Sequence, residues 1–343
     1  MSTKVLFICK KRQTEYGVSY GLINSCRFLC NALERLGVES KVVAVIDNNC
    51  IDREVHQYKP THVFIEALWV VAEKFHVLLP KYPKVKWFVR LHSNIPFLAN
   101  EGMAMEWIAK YDALQKHYHN FHIAPNSDKL VRDLKLARNI NTVYAPNIYY
   151  PDHYEDLKYN KVKIHHHHDV LNVGCFGAIR PMKNHLTQAI AAMSFANKIG
   201  KKLHFHINGR CEQNGEQFHR NLKHLFEGTK HKLVQHPWMP HDEFMSLVKE
   251  MDLGMQISFS ETFNIVAADM VHANVPLVGS KEIEWLSMWY KASTTDTNDI
   301  ILFLYLAYYG RKMGVHNLNK IGLEVYNYKA MNAWMNLLFP LIY

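Results

Sequence analysis

The sequence predicts two doubly wound α/β domains, each a parallel sheet with helices on both faces. Three observations carry that expectation. Short apolar runs of strand length alternate with helical stretches nearly end to end, the pattern that builds a parallel sheet. The alternation occurs as two series, separated by a polar and aromatic stretch that reads as a connection. The chain has 343 residues, 48% hydrophobic and 12% aromatic, enough for two packed cores of about 150–200 residues each.

The first series opens with "KVLFIC" (4–9), then a helix from about Gly17 to Leu36, then "SKVVAVI" (40–46). "THVFIEA" (61–67), "VKWFVRLH" (85–92), "NFHIAPN" (120–126) and "NTVYAPN" (141–147) follow as strand candidates, with helical stretches between most of them. The second series starts with "VLNVGCFGAI" (170–179), a helix from about Leu186 to Ile199, and "KLHFHING" (202–209). A helix at 216–226, "KLVQHPW", the helix "HDEFMSLVKEM", "DLGMQIS", the helix "FNIVAADMVHA" and "VPLVGS" complete it. The expected organisation is a first domain over 1–150, a linker over 151–169, and a second domain over 170–325. A C-terminal helix over 326–343 is expected to pack back on the first domain.

No window reaches the ~20 uninterrupted apolar residues of a membrane span. "MSTKVLFICKK" becomes charged after five apolar residues, too few for a secretory signal. The expected compartment is the cytoplasm, that of the host if the chain is viral. Six cysteines without a CxxC pair fit a reducing cell; Cys26 and Cys30 lie one helical turn apart and can share a face. A net charge of +9 favours anionic partners such as nucleotide phosphates, nucleic acid or an acidic membrane surface. "KLVRDLKLAR" sets Lys129, Arg132, Lys135 and Arg138 near one helical face, a solvated face or a polyanion contact. The run His165–His168 reads as exposed linker, because adjacent residues of an extended segment alternate direction.

Two stretches can carry chemistry. In "VGCFGAIRPMKNHLTQAIAA" (173–192), a strand leads through Gly174 and Gly177 to Arg180, Lys183 and a helix. Glycines admit a ligand close to the backbone, and cations beside free helix N–H groups suit a diphosphate, although a solvated loop would look similar. In "SETFNIVAAD", Glu261 falls in the loop after a strand, while Asp269 sits within an otherwise small and apolar helix that Thr262 or Asn264 can cap. A buried acid needs hydrogen-bond donors, and ribose hydroxyls are suitable ones.

These stretches, in this order, resemble retaining glycosyltransferases of GT-B fold, particularly the large family four, which the two acids eight residues apart evoke most directly. "GAIRPMKNHLTQAIAA" is similar to that family's diphosphate-binding turn, and "HPWMPHDEF" to its strand and loop near the base. "WFVRLHSNIPFL" is similar to the strand carrying its donor-site histidine, here His92, and Gly17 occupies the glycine-loop position after the first strand. The resemblance implies two Rossmann-like domains facing across a cleft and a nucleotide-diphosphate sugar, a UDP-sugar first among them, as co-substrate without a further cofactor. Arg180 and Lys183 would neutralise the leaving diphosphate; Glu261, with backbone N–H groups of Phe263 and Asn264, would orient the sugar; Asp269 would bind ribose; His92 would approach the sugar from the first domain. Gly177, Asn208, Gly209 and Thr262 line the expected donor edge, and Trp238 and Met239 either flank the nucleobase or simply pack. No D-x-D occurs, which fits metal-independent transfer, and the triplet His117, His119, His122 lacks a completing ligand pattern.

Three departures from the family stand out. The second acid is Asp269, the residue after the turn glycine is Ala178 with Arg180 two positions on, and the first loop reads "YGVSYG". The acceptor is open between a hydroxymethylated base in DNA, as for phage transferases of this fold, and a glycan or lipid-linked acceptor. A non-catalytic nucleotide-sugar or nucleic-acid binding protein is the reading from a different class.

Overall fold

The computed structural model describes residues 2–11, 20–152, 169–212 and 214–340. The chain divides into two compact units, one of Met1–Tyr154 with Tyr326–Tyr343 and one of Glu155–Val325. Gly17, His165–His168 and most of the expected linker lie outside the described residues.

In the first unit β1 (Lys4–Lys10), β2 (Glu39–Val45), β3 (His62–Glu66), β4 (Lys86–Leu91) and β5 (Phe121–Pro125) alternate with α1 (Tyr20–Arg35), α2 (Cys50–Tyr58), α3 (Ala72–Lys81), α4 (Ile95–Leu98), α5 (Ala104–His117) and α6 (Asp128–Arg138). The five strands are parallel in the order β2-β1-β3-β4-β5. Strands such as β3 are buried at every position, as a sheet covered on both faces requires. On one face Phe7, Phe64 and Phe88 stack in a row, with centroids 5.3 Å and 4.5 Å apart. Trp334 lies edge-on to Phe7 and tilted against Phe64, and its indole N–H donates to the Pro146 carbonyl at 2.8 Å.

In the second unit β6 (Val170–Gly174), β7 (Lys202–Asn208), β8 (Lys232–His236), β9 (Leu253–Gln256), β10 (Leu277–Ser280) and β11 (Lys291–Ala292) alternate with α7 (His185–Lys198), α8 (Glu216–Phe226), α9 (His241–Val248), α10 (Ile265–His272) and α11 (Thr297–Gly310). The parallel order is β11-β10-β9-β6-β7-β8. α12 (Asn317–Leu338) begins in this unit and ends in the other. Gly254 and Gly174 pair across β9 and β6. A Cβ on Gly254 would stand 2.4 Å from the Met270 sulfur, so the helix α10 rides close on the sheet only because the side chain is absent.

One strand expectation fails. Residues 141–147 run beside β5, with Val143 and Ala145 N–H groups donating to Ile123 and Pro125, yet form no strand. Pro125 has no N–H to return a ladder bond. The carbonyls of Ala145 and Pro146 go instead to the side chains of Arg90 and Trp334. All six cysteines are free, as a reducing cell would leave them; Cys26 and Cys30 are both buried, and Cys26 Sγ lies 3.7 Å from Cys9 Sγ on β1.

Candidate functional site

In each sheet the strand order reverses once, between β1 and β3 and between β9 and β6. Loops leaving adjacent carboxyl ends diverge there and open a crevice, the usual ligand position in open α/β sheets.

Most of the sequence-nominated residues lie on the loops and helix starts that follow the strands of the second sheet. After β6 the chain passes Gly177, whose φ of +118° lies where only glycine is comfortable. Its N–H donates to Asn208 Oδ1 at 2.8 Å, binding the turn to the end of β7. A 3-10 turn over Pro181–Lys183 follows, and Asn184 starts α7 in the left-handed conformation. The turn is laced to the chain leaving β9. Phe259 N–H donates to the Met182 carbonyl at 2.9 Å, and Asn184 Nδ2 donates to the Ile257 carbonyl at 3.1 Å. Gln188 closes the lace, donating to the Lys183 carbonyl at 2.8 Å and accepting from Ile257 N–H at 2.9 Å.

That lacing brings Lys183 Nζ to 2.5 Å from Glu261 Oε1, both side chains about nine-tenths buried at 11% and 9% exposure. A Cβ at Gly177 would stand 4.0 Å from the same ammonium, so glycine backbone, cation and acid share one locale. Arg180 is half-buried two residues after Ala178. The hydroxyls of Ser258 and Ser260 and the Nε2 of His185 are buried without a hydrogen-bond partner. The sequence reading passed over all three, although each lies within three residues of Lys183 or Glu261; short stretches of Ser and His carry no motif to announce them.

α10 is capped by Asn264, whose Oδ1 accepts from Ala267 N–H at 3.0 Å. Its Nδ2 donates to Gln256 Oε1 at 2.9 Å, and Gln256 in turn donates to the Phe176 carbonyl at 2.9 Å. The cap is thereby tied to the glycine turn. Phe263 is buried and its carbonyl accepts from Trp285 at 2.8 Å, while Thr262 is partly exposed. Asp269 is buried one helical turn into α10 and accepts from His241 Nε2, at the start of α9, at 2.9 Å. His241 was not nominated by sequence; it stands 28 residues before its partner. Gly209 N–H donates to the His236 carbonyl at 3.0 Å, and Trp238 and Met239 lie half-buried just beyond β8.

The switch point of the first unit holds a charge network. Glu66, at the end of β3, is fully buried; Arg90 NH1 lies 3.1 Å and His92 Nε2 2.6 Å from its Oε2. Arg90 also donates to the Ala145 carbonyl at 2.9 Å and to Asn147. Asn126 Nδ2 lies 3.3 Å from His92 Nδ1, so both imidazole nitrogens face protein groups. Burial works to raise the Glu66 pKa, but Arg90 and His92 outweigh it and hold the carboxyl below its ordinary range. Burial lowers the His92 pKa, against the pull of Glu66. Glu66 and Arg90 escaped sequence reasoning because both sit inside strands that read as ordinary apolar runs.

Among the described residues no cluster of three or more His, Cys, Asp or Glu side chains is placed to hold a metal ion. No helix there is long and apolar enough to cross a membrane.

No protein-family model matches the chain. No curated protein matches it in sequence either. Solved structures match it in fold. A trehalose-6-phosphate synthase, OtsA, superposes with a TM-score of 0.68 at 11% identity, covering 99% of this chain and 100% of that one. A sucrose-phosphate synthase from Thermosynechococcus elongatus gives 0.65 at 13% identity, covering 98% of each chain. A glycosyltransferase from Rickettsia africae gives 0.59 at 12% identity, covering 98% and 96%. The two parallel-sheet α/β units are thus those of the GT-B glycosyltransferase fold.

Proposed function

We propose that the protein is a retaining glycosyltransferase that moves a sugar from a nucleotide-diphosphate donor to a hydroxyl acceptor without a metal ion. The observation that carries this reading is the Lys183–Glu261 pair at the β6/β9 switch point, beside the positive-φ turn at Gly177. A near-buried cation next to close-approach backbone is what a departing diphosphate needs. Full-length likeness to nucleotide-sugar transferases supports it. One such neighbour is described with bound UDP-2-fluoro glucose, and we take a UDP-sugar as the donor.

In this reading Lys183 and Arg180 neutralise the diphosphate while the bond between the anomeric carbon and the phosphate oxygen breaks. The acceptor oxygen bonds to the same face of that carbon, and its proton passes to the leaving phosphate. Glu261 and the start of α10 orient the sugar; Asp269, shared with His241, takes ribose hydroxyls; Asn208, Gly209, Trp238 and Met239 lie along the nucleoside. Ser258, Ser260 and His185 offer further donors to the diphosphate or sugar. The acceptor belongs to the first unit, whose switch point carries Glu66, Arg90 and His92.

For the acceptor we take a hydroxymethylated base in DNA. The exposed side of α6 favours a polyanion, with Arg138 exposed, Lys135 exposed and donating to Asn141, and Arg132 paired to Asp128 one turn away. The test is incubation with UDP-sugars and either hydroxymethylated DNA or oligosaccharides, with mass analysis of both and the anomer assigned by NMR. Glycosylated DNA with the donor's configuration is the expected product. Inverted product sinks the retaining mechanism, modified oligosaccharide alone moves the acceptor to glycans, and no release of UDP under any condition removes the enzyme reading.

A further inference from the structure

We propose that the outer face of α11 is the interface through which two copies of this chain pair. The proposal stands on the surface of the second unit alone and is independent of the catalytic reading.

From Ile300 onward α11 is apolar or aromatic all round although only one side is covered. Ile300, Ile301, Leu304 and Ala307 are buried against α7 and the sheet. On the opposite side Leu302, Leu306 and Tyr309, continued by Met313 in the following 3-10 turn, point to solvent. Their spacings of four, three and four residues are those of the apolar seam that packs one helix against another. A helix with apolar residues on its free side is expected to be covered. Met288 and Trp289 extend the seam from the short turn that packs beside α11. The six side chains are between 44% and 79% exposed. With large side chains worth roughly 150–250 Å² each, they leave on the order of 750 Å² in water. That exceeds the roughly 300–600 Å² of the largest patch on an ordinary monomer. It approaches the ~800 Å² that each partner contributes to a standard interface.

Charge selects the occupant. Of the exposed residues between 297 and 313 only Lys312 is charged. A two-fold contact places a surface against its own copy, so a patch with almost no charge meets itself without repulsion. An anionic bilayer would be held instead by several lysines or arginines around the apolar residues, and this face has one. α11 starts near the carboxyl edge of its sheet, where Asn184 reaches the Thr294 carbonyl, and runs away from the Lys183–Glu261 pair. Pairing through it leaves the crevice open.

Sedimentation velocity on the full chain at micromolar concentration should give twice the 40.1 kDa chain mass. Leu306→Glu/Tyr309→Glu should raise the dimer dissociation constant at least about 30-fold, the loss of a hot-spot pair. Should that variant fold poorly, Leu306→Cys decides the matter: a bismaleimide should join its copies and leave wild type monomeric on a denaturing gel. A wild-type monomer at all accessible concentrations overturns the proposal. So does a dimer unaffected by the double substitution, a Leu306→Cys protein that does not cross-link, or a monomer that floats with phosphatidylserine vesicles.

Discussion

Replacing Lys183 by methionine separates what its charge does for the fold from what it does for the reaction. The substitution keeps an unbranched side chain, one atom shorter, and takes the 2.5 Å partner from Glu261, whose side chain is 9% exposed. Breaking a fully buried pair costs about 3–5 kcal/mol. With each side chain about a tenth exposed, about 2–3 kcal/mol is the better figure, because water and the acid's other contacts offset part of the loss. For a unit of this size each kcal/mol lowers the melting temperature by roughly 2–4 °C, giving a fall of about 5–10 °C. Glu261→Gln, which strands the ammonium instead, should cost about as much, and the double variant should recover most of the loss, a coupling of about 3–5 kcal/mol. Turnover behaves differently. If Lys183 neutralises the leaving group as proposed, its loss should slow transfer by about 10²–10³-fold, and the double variant should stay slow although its stability returns. Thermal denaturation followed by fluorescence, beside UDP release at saturating donor, reads both quantities. If Lys183→Met melts within 2 °C of wild type by the same scale, the pair is not the buried contact described. If its turnover stays within a few-fold, the cation is not at the reacting diphosphate.

Asp269→Asn should weaken binding of free UDP by about tenfold, the value of one charge-assisted hydrogen bond, with little change in turnover at saturation; calorimetric titration checks it. Arg90→Met should destabilise the first unit by about 3–5 kcal/mol, since Glu66 would be left fully buried without its guanidinium; urea unfolding reads the loss. Acid should unfold the protein early. Burial lowers the pKa of His62 and His272 to about 4 and of His185 to about 3, with nearby lysines adding to the effect. The unfolded chain binds protons at these sites below pH ~6.5 while the folded chain refuses them. Stability is therefore flat above that pH and falls from there toward pH 4, and His272→Leu should flatten the urea-midpoint profile over this window.

Much of the architecture could be read from the sequence because each strand is a short apolar run closed by polar or glycine residues. Glu216–Phe226 and His241–Val248 were visible as helices from their spacing, and Asn264 as a cap from its place before an apolar run. The segment 141–147 was not, because its apolar alternation is that of a strand while its backbone partners are decided by Pro125 and by two side chains far away in sequence. The site divides along the same line. Gly177, Lys183 and Glu261 stand at fixed offsets from strand ends, so local pattern points at them. His241, Glu66 and Arg90 matter through partners 24 or more residues distant, and no local pattern encodes such a meeting.

A common device underlies both switch points. Each holds a carboxylate at the end of a strand or just beyond it, already paired with a cation: Glu66 with Arg90 in one sheet, Glu261 with Lys183 in the other. Crevices lined by isolated charges would be costly to form, since each charge would be desolvated without return. Pairing offsets that cost, and under the proposed function it sets a condition on binding: an anionic donor would have to take Lys183 partly away from Glu261. Glu261 would then be released where, in the proposed reading, a sugar's hydroxyls replace the ammonium as its donors. The exchange couples diphosphate to sugar, so a donor lacking its sugar should bind without that compensation. In Glu261→Gln the gap between UDP-sugar and UDP affinities should shrink toward unity. If wild type binds UDP and the intact donor equally well, the exchange does not occur and the pair is structural.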